Sequence, residues 1–286
     1  MKNLFFFIAI LFCLSSTAQD SYLHCGKLID TKNGKVLTNK TIVVSGNTIK
    51  SVSDGFINPS NAEDTVIDLK NKTVMPGLID MHVHIEGETS PTRYLDRFTN
   101  NPADVAFGAV NIANRTLMAG FTTVRDLGGS GVNVALRNAI AKGKIKGPRI
   151  FTAEKGIGTT GGHADPTNGM SKKLMGDPGP AEGVINSPAD ARKAVRQRYK
   201  NGADLIKITA TGGVLSVSKN GHNPQFTQEE VDEIVKTANE YGMSVAAHAH
   251  GVEGMKRAIR AGVQTIEHGS MMDKETAALM KQYGTY

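Results

Sequence analysis

The sequence predicts an α/β protein: a (β/α)8 TIM-type barrel, incomplete with about six strands present, behind a small N-terminal β-sandwich module. Three observations carry this. Residues 22–75 are short β-rich runs broken by turn residues. After Pro76-Gly77, strand-like and helix-like segments alternate. Histidines recur where the later strands finish.

The 286 residues carry 33 Lys and Arg against 27 Asp and Glu, and 40% are hydrophobic. That is a globular composition, which excludes a disordered tail, a collagen-like repeat and a disulfide scaffold. The net charge of +6 is spread along the chain without a Lys/Arg block, which argues against a nucleic-acid partner. Residues 1–18 read as a signal peptide: Lys2, an apolar run too short to span a bilayer, then Ser16-Thr17-Ala18 for cleavage. The expectation is an exported protein, periplasmic or secreted, with no membrane anchor after cleavage. Cys25 then stands alone, so no intrachain disulfide can form.

Residues 19–76 form the module. Leu28-Ile29 and Val36-Leu37 flank Asn33-Gly34, a hairpin turn pair. Residues 41–44 and 48–52 flank Ser45-Gly46-Asn47. Residues 65–68 and 73–75 flank Lys70-Asn71-Lys72. The reading is three antiparallel hairpins.

Residues 77–286 form the barrel. Strands are expected at 78–84, 122–126, 149–153, 205–210, 244–248 and 265–268. Asn101-Pro102 and Ser187-Pro188 each place a capping side chain before a proline at the first helical position. Thr227 and Glu230 make a capping box, and Val231, Ile234, Val235, Ala238 and Tyr241 then form a helical stripe. Gly120, Gly202, Gly242, Gly262 and Gly284 sit where helices should stop. A full barrel takes about 250 residues, and segment 154–186 is a long βα connection. Gly284-Thr285-Tyr286 reads as the start of a seventh strand. The expectation is a chain cut short before the last two strands, with a six-stranded open sheet as the alternative.

Eight histidines in this length would give roughly 0.2 His-x-His pairs by composition. There are two, His82/His84 and His248/His250. Period two puts both members of a pair on one strand face. Lys207 sits mid-strand between Ile206 and Ile208, where an unpaired ammonium is costly. It must reach the mouth of the sheet, pair with an acid or serve a metal. The last strand ends at His268. Four of six strands thus offer a metal-capable group near the carboxyl end, where parallel α/β folds build their sites. Such a set suits a transition metal, zinc first.

Other features carry less. Gly128-Gly129-Ser130-Gly131 lacks the spacing of a dinucleotide or phosphate loop and reads as a βα connection. Arg125 could bind a substrate carboxylate or pair with Asp126. His24 reads as structural, and His222 lies in a loop.

The run Pro76-Gly77-Leu78-Ile79-Asp80-Met81-His82-Val83-His84, with Lys207, His248 and Ile266-Glu267-His268-Gly269, resembles the amidohydrolase superfamily. Gly161-Gly162-His163-Ala164-Asp165, Thr211-Gly212-Gly213-Val214-Leu215-Ser216 and the run 245–251 resemble its branch of Xaa-Pro dipeptidases and metallo-carboxypeptidases. The chain is also similar to imidazolonepropionase, a cyclic-amide hydrolase.

The resemblance implies two divalent metal ions. His82 and His84 would hold one, His248 and His268 the other, and an N-carbamylated Lys207 would bridge them. A metal-bridging hydroxide would then hydrolyse a C–N amide bond, that of a dipeptide first. His163 and His250 would bind the substrate, a dipeptide or other small molecule. The general-base Asp that the family carries on its eighth strand has no counterpart here; Asp126 and Asp165 do not match its position. A cyclic-amide hydrolase, a deaminase, which usually lacks this lysine, and an inactive metal-binding fragment are the rival readings. A homo-oligomer is compatible with this reading.

Overall fold

The computed structural model describes residues 19–217 and 220–286. The predicted signal peptide, 1–18, lies outside them. The chain divides into two compact units between Pro76 and Gly77.

The first unit holds β1 (Asp20–Asp30), β2 (Lys35–Ser45), β3 (Thr48–Asp54) and β4 (Thr65–Val74) in one sheet of order β3-β2-β1-β4. The first two hairpins form as the turn residues dictate. Ile29 pairs with Val36 and Leu28 with Leu37, and Ser45 pairs with Thr48 around Gly46-Asn47. The third does not form. Residues 65–74 are one strand, parallel to β1, so the sheet is mixed rather than antiparallel. Its register jumps from Cys25–Leu69 to Lys27–Thr73, which leaves Lys70-Asn71-Lys72 as a bulge opposite Gly26. A Cβ on Gly26 would lie 1.8 Å from the Lys70 carbonyl oxygen. The bulge therefore occupies the space that a side chain would need, and turn-forming residues serve it as readily as a hairpin. Among the described residues no second sheet faces this one to make a sandwich. His24 is buried, and its Nε2 bonds the Ile57 carbonyl at 2.8 Å, a structural role.

The second unit runs β5 (Leu78–Val83), α1 (Arg93–Thr99), α2 (Pro102–Met118), β6 (Phe121–Asp126), α3 (Val132–Ala141), β7 (Arg149–Thr152), β8 (Gly158–Thr159), α4 (Lys172–Met175), β9 (Val184–Ile185) and α5 (Pro188–Asn201). It continues through β10 (Ile206–Thr209), α6 (Gln228–Glu240), β11 (Val245–Ala249), α7 (Val252–Ala261), β12 (Thr265–His268) and α8 (Lys274–Tyr283). Two three-stranded parallel sheets result, β5-β6-β7 and β10-β11-β12. Backbone bonds from Ile157 N–H to the Lys207 carbonyl (2.8 Å) and from Asp204 N–H to the Thr152 carbonyl (2.8 Å) join them into one wall in chain order. Tyr286 extends the wall past β12, its N–H bonding the Gln264 carbonyl at 3.0 Å. The connection 154–186 is not a bare loop: β8 and β9 pair in parallel inside it.

The predicted caps shape the helices. Ser187 Oγ accepts from Asp190 N–H, and Thr227 and Glu230 exchange both bonds of a capping box. Gly202, Gly262 and Gly284 end α5, α7 and α8 with positive φ. Strand alternation then sorts the side chains. Ile206, Ile208, Val245 and Ala247 pack outward with Val195, Ile234, Val235 and Ile259 of the helices. Arg125, Lys207, His248 and Glu267 occupy the other face and are buried. Among the described residues no helix is long and apolar enough to cross a membrane.

Ile234 is fully buried in the larger core cluster. Ile234→Ala is expected to cost about 2–5 kcal/mol, and Thr227→Ala about 1 kcal/mol, by chemical denaturation.

Candidate metal centre

The carboxyl ends of β5, β11 and β12 bring five imidazoles into one patch, and His163 joins it from the loop after β8. Ring centroids are 5.5 Å apart for His82 and His84, 5.0 Å for His82 and His268, and 4.7 Å for His248 and His268. His250 stacks on His268 at 5.0 Å, and His163 stacks on His248 at 4.4 Å. Ligand-capable atoms of His248, His250 and His268 lie within 4.8 Å of one another. All six histidines singled out in the sequence therefore converge.

His268 reaches the patch by breaking the strand pattern. Alternation points Glu267 inward and would send residue 268 toward the helices. His268 instead has φ +74, a left-handed conformation uncommon for a residue with a side chain. Its ring lies against His82, His248 and His250. Strain of this kind collects at functional sites.

Three of the rings are held by oxygens that can only accept. His82 Nδ1 donates to Glu267 Oε2 at 3.1 Å, His84 Nδ1 to the Gly128 carbonyl at 2.7 Å, and His248 Nε2 to the Gly212 carbonyl at 2.9 Å. A proton on the bonded nitrogen leaves a lone pair on the other: Nε2 of His82 and His84, Nδ1 of His248. Oriented neutral imidazoles are what a transition metal requires. His163 and His250 differ, because their Nδ1 atoms meet hydroxyls, Ser216 Oγ and Ser270 Oγ.

Lys207 is buried, and no ion pair to its Nζ is found among the described residues. Burial pulls its ammonium down to about 8; Glu267 opposes this and Arg125 adds to it. The acid-paired reading of this lysine does not hold. The acid goes elsewhere: Glu267 accepts from Arg125 Nη2 at 2.6 Å as well as from His82. Burial works against the Glu267 carboxylate, but bonds from His82 and Thr265 and the Arg125 charge outweigh it and hold it at about 2. Burial takes His248 down to about 3, with His163 and Lys207 adding charge repulsion.

Arg125 thus pairs with Glu267 across the lumen and not with Asp126. Asp126 accepts from Ile85 N–H, Asn133 Nδ2 and Thr152 Oγ1. Asp165 accepts from Gly161 N–H and from Thr167. Both acids are engaged in loop structure, which agrees with their mismatch to a proton-shuttling position. The glycine-rich loop 128–131 leads into backbone N–H groups already taken by the chain's own Glu86 carboxylate, which accepts from Ser130 and Asn133 N–H at 2.6 Å each. Sequence reasoning does not mark Glu267, Ser216 or Ser270 for these roles. Only inward alternation on β12 hints at Glu267, and Ser216 lies 53 residues from its partner His163.

A wall of parallel strands with imidazoles at their carboxyl ends and one buried lysine on the same face offers a cluster of metal-capable groups. The model of the amidohydrolase family matches residues 73–286, and the chain belongs to that family. It is similar to a Xaa-Pro dipeptidase solved with methionine in its active site, at 52% identity and a TM-score of 0.88 over 94% of this chain and 66% of that one. A prolidase solved with N-methylphosphonate-L-proline is 33% identical, with a TM-score of 0.84 over 94% of this chain and 65% of that one. Ochratoxinase of Aspergillus niger is 32% identical over 280 residues, 93% of this chain. The chain spans 58% of that curated relative's length.

The shifts fix how the metal-free protein responds to acid. Glu267 at about 2 lies below its ordinary 4.5, so the unfolded chain binds that proton first. Its contribution is complete above about 4.5 and is lost between 4.5 and 2. His248 at about 3 makes stability fall as pH drops from 6.5 to 3. Thermal denaturation of metal-free protein should show a falling Tm across both ranges, and Glu267→Gln should flatten the part below 4.5.

Proposed function

We propose that the protein hydrolyses the C–N amide bond of a small substrate with a free carboxylate, a dipeptide of the Xaa-Pro type first, at a centre of two divalent metal ions. One observation carries this: His82, His84 and His248 each have one ring nitrogen tied to an acceptor-only oxygen, beside a buried Lys207 that makes no direct ion pair among the described residues. The donor set fits such ions. His82 and His84 would hold one and His248 and His268 the other, with zinc the leading candidate. The likeness to a Xaa-Pro dipeptidase and a prolidase supports the dipeptide substrate.

Lys207 completes the centre in this reading. Its lowered value, about 8, leaves a fraction of neutral amine at neutral pH. That amine adds carbon dioxide, forming an N–C bond and releasing one proton, which turns a buried cation into a carboxylate-type oxygen donor. Bound divalent ions supply Lewis acidity and lower the pKa of water. The chain's own residues orient the ligands and the substrate. Glu267 fixes the His82 tautomer, and Arg125 holds Glu267. His163 and His250 offer ring nitrogens to the substrate's carboxylate and acyl oxygen. Partners beyond the substrate are not required by the site.

The direct test is hydrolysis of a dipeptide panel by the full-length protein with metal content measured on the same sample. Two ions per chain, activity lost on chelation, and a kcat lowered about a hundredfold or more in Lys207→Ala are expected. Two ions bound without turnover of any amide would leave a metal-binding protein instead. We further propose export through residues 1–18. Amino-terminal sequencing of protein from its native host should then begin at Gln19.

A further inference from the structure

We propose that Ser216 is a positioning residue that sets the tautomer of His163, so that His163 presents Nε2–H to a carboxylate. The proposal rests on the substrate class above and goes beyond it by naming how the carboxylate donor is made.

The geometry holds His163 on several sides. Its N–H donates to Gln225 Oε1 at 2.9 Å. Its imidazole lies nearly flat on His248, with 26° between the planes. The turn at Gly213 closes over it so tightly that a Cβ on Gly213 would fall within 2.9 Å of the ring nitrogens. Its Nδ1 lies 2.5 Å from Ser216 Oγ. That leaves Nε2 as the ring nitrogen available to a ligand.

Ser216 Oγ already accepts from Gly213 N–H at 3.0 Å. A hydroxyl that accepts from one neighbour and donates to the next forms a chain of like-directed bonds, each polarising the other. In the proposed arrangement Oγ gives its one proton to Nδ1, which accepts, and the single proton of the neutral ring sits on Nε2. Nε2–H suits an acceptor-only group such as a carboxylate. It does not suit a metal, which needs a bare nitrogen. The contrast with His82, His84 and His248 is chemical: carbonyl or carboxylate partners leave those rings a lone pair, whereas a donating hydroxyl gives His163 a proton to offer.

The first test needs no turnover. In full-length protein labelled with 15N-histidine, long-range 1H–15N spectra read which ring nitrogen carries hydrogen, with the His163 signals assigned by their loss in His163→Gln. The Nε2–H form is expected in the wild type and in Ser216→Thr, and a mixture of both forms in the near-isosteric Ser216→Val. An Nδ1–H form in the wild type, or identical spectra for the Ser216→Thr and Ser216→Val proteins, overturns the proposal.

The second test is binding of L-methionine against L-methioninol, which lacks the carboxylate. Ser216→Val should weaken methionine about tenfold and leave methioninol unchanged. It should cost nothing more in a His163→Gln background. An equal loss in both backgrounds would make Ser216 a mere turn residue and overturn the proposal. Failure of both ligands to bind while the Nε2–H form stands would count against the substrate reading alone.

Discussion

A carboxylate buried among cations organises the second unit's interior. Glu267 from β12 meets Arg125 from β6 and His82 from β5, so one side chain ties the first strands of the wall to the last one described. The chemistry leaves little choice. Arg125 cannot lose its proton, and a buried guanidinium without an anion is costly. Glu267 satisfies it through a direct ion pair, and reaches Lys207 only as a nearby charge. The lysine has no direct ion pair among the described residues, and burial pulls it toward neutrality against the charges of Glu267 and Asp126. Burial thus sets the state of Lys207, with the Arg125 and Glu267 charges pulling in opposite directions.

The same logic governs the histidines. A neutral imidazole has one donor and one acceptor nitrogen, and its partner chooses between them. Backbone carbonyls at Gly128 and Gly212 and the Glu267 carboxylate choose one way for His84, His248 and His82. Serine hydroxyls stand at His163 and His250. Chemically identical side chains thus separate into two groups by the second atom each one touches. Apart from Glu267 on β12, the partners come from loops after β6, β10 and β12, so the loops at one end of the wall are as much a part of the centre as the strands.

Much of this is legible in the chain. The His-x-His spacing on β5 and β11, the lone Lys between two isoleucines and the closing His of β12 mark the strand ends, because period two ties sequence spacing to one face. Caps at Ser187 and Thr227 mark helix starts for an equally local reason. The segment 70–72 misleads, since Asn and Lys in a turn-like run are as compatible with a bulge as with a hairpin. Arg125 invites pairing with its neighbour in sequence, Asp126, yet alternation sends adjacent residues to opposite faces, and it is Glu267 that shares its side.

Local spacing, capping chemistry and the family motif determined the first two hairpins, the six main strands of the second unit and their order, the membership of the amidohydrolase family and the residues at the strand ends. Those properties depend on neighbours within a few positions along the chain. The tertiary structure decided which charges pair across the lumen, which nitrogen of each histidine is free, and that a left-handed backbone at His268 turns its ring into the centre. Each of these depends on atoms brought together from tens to more than a hundred residues apart, and no local pattern encodes such a distance.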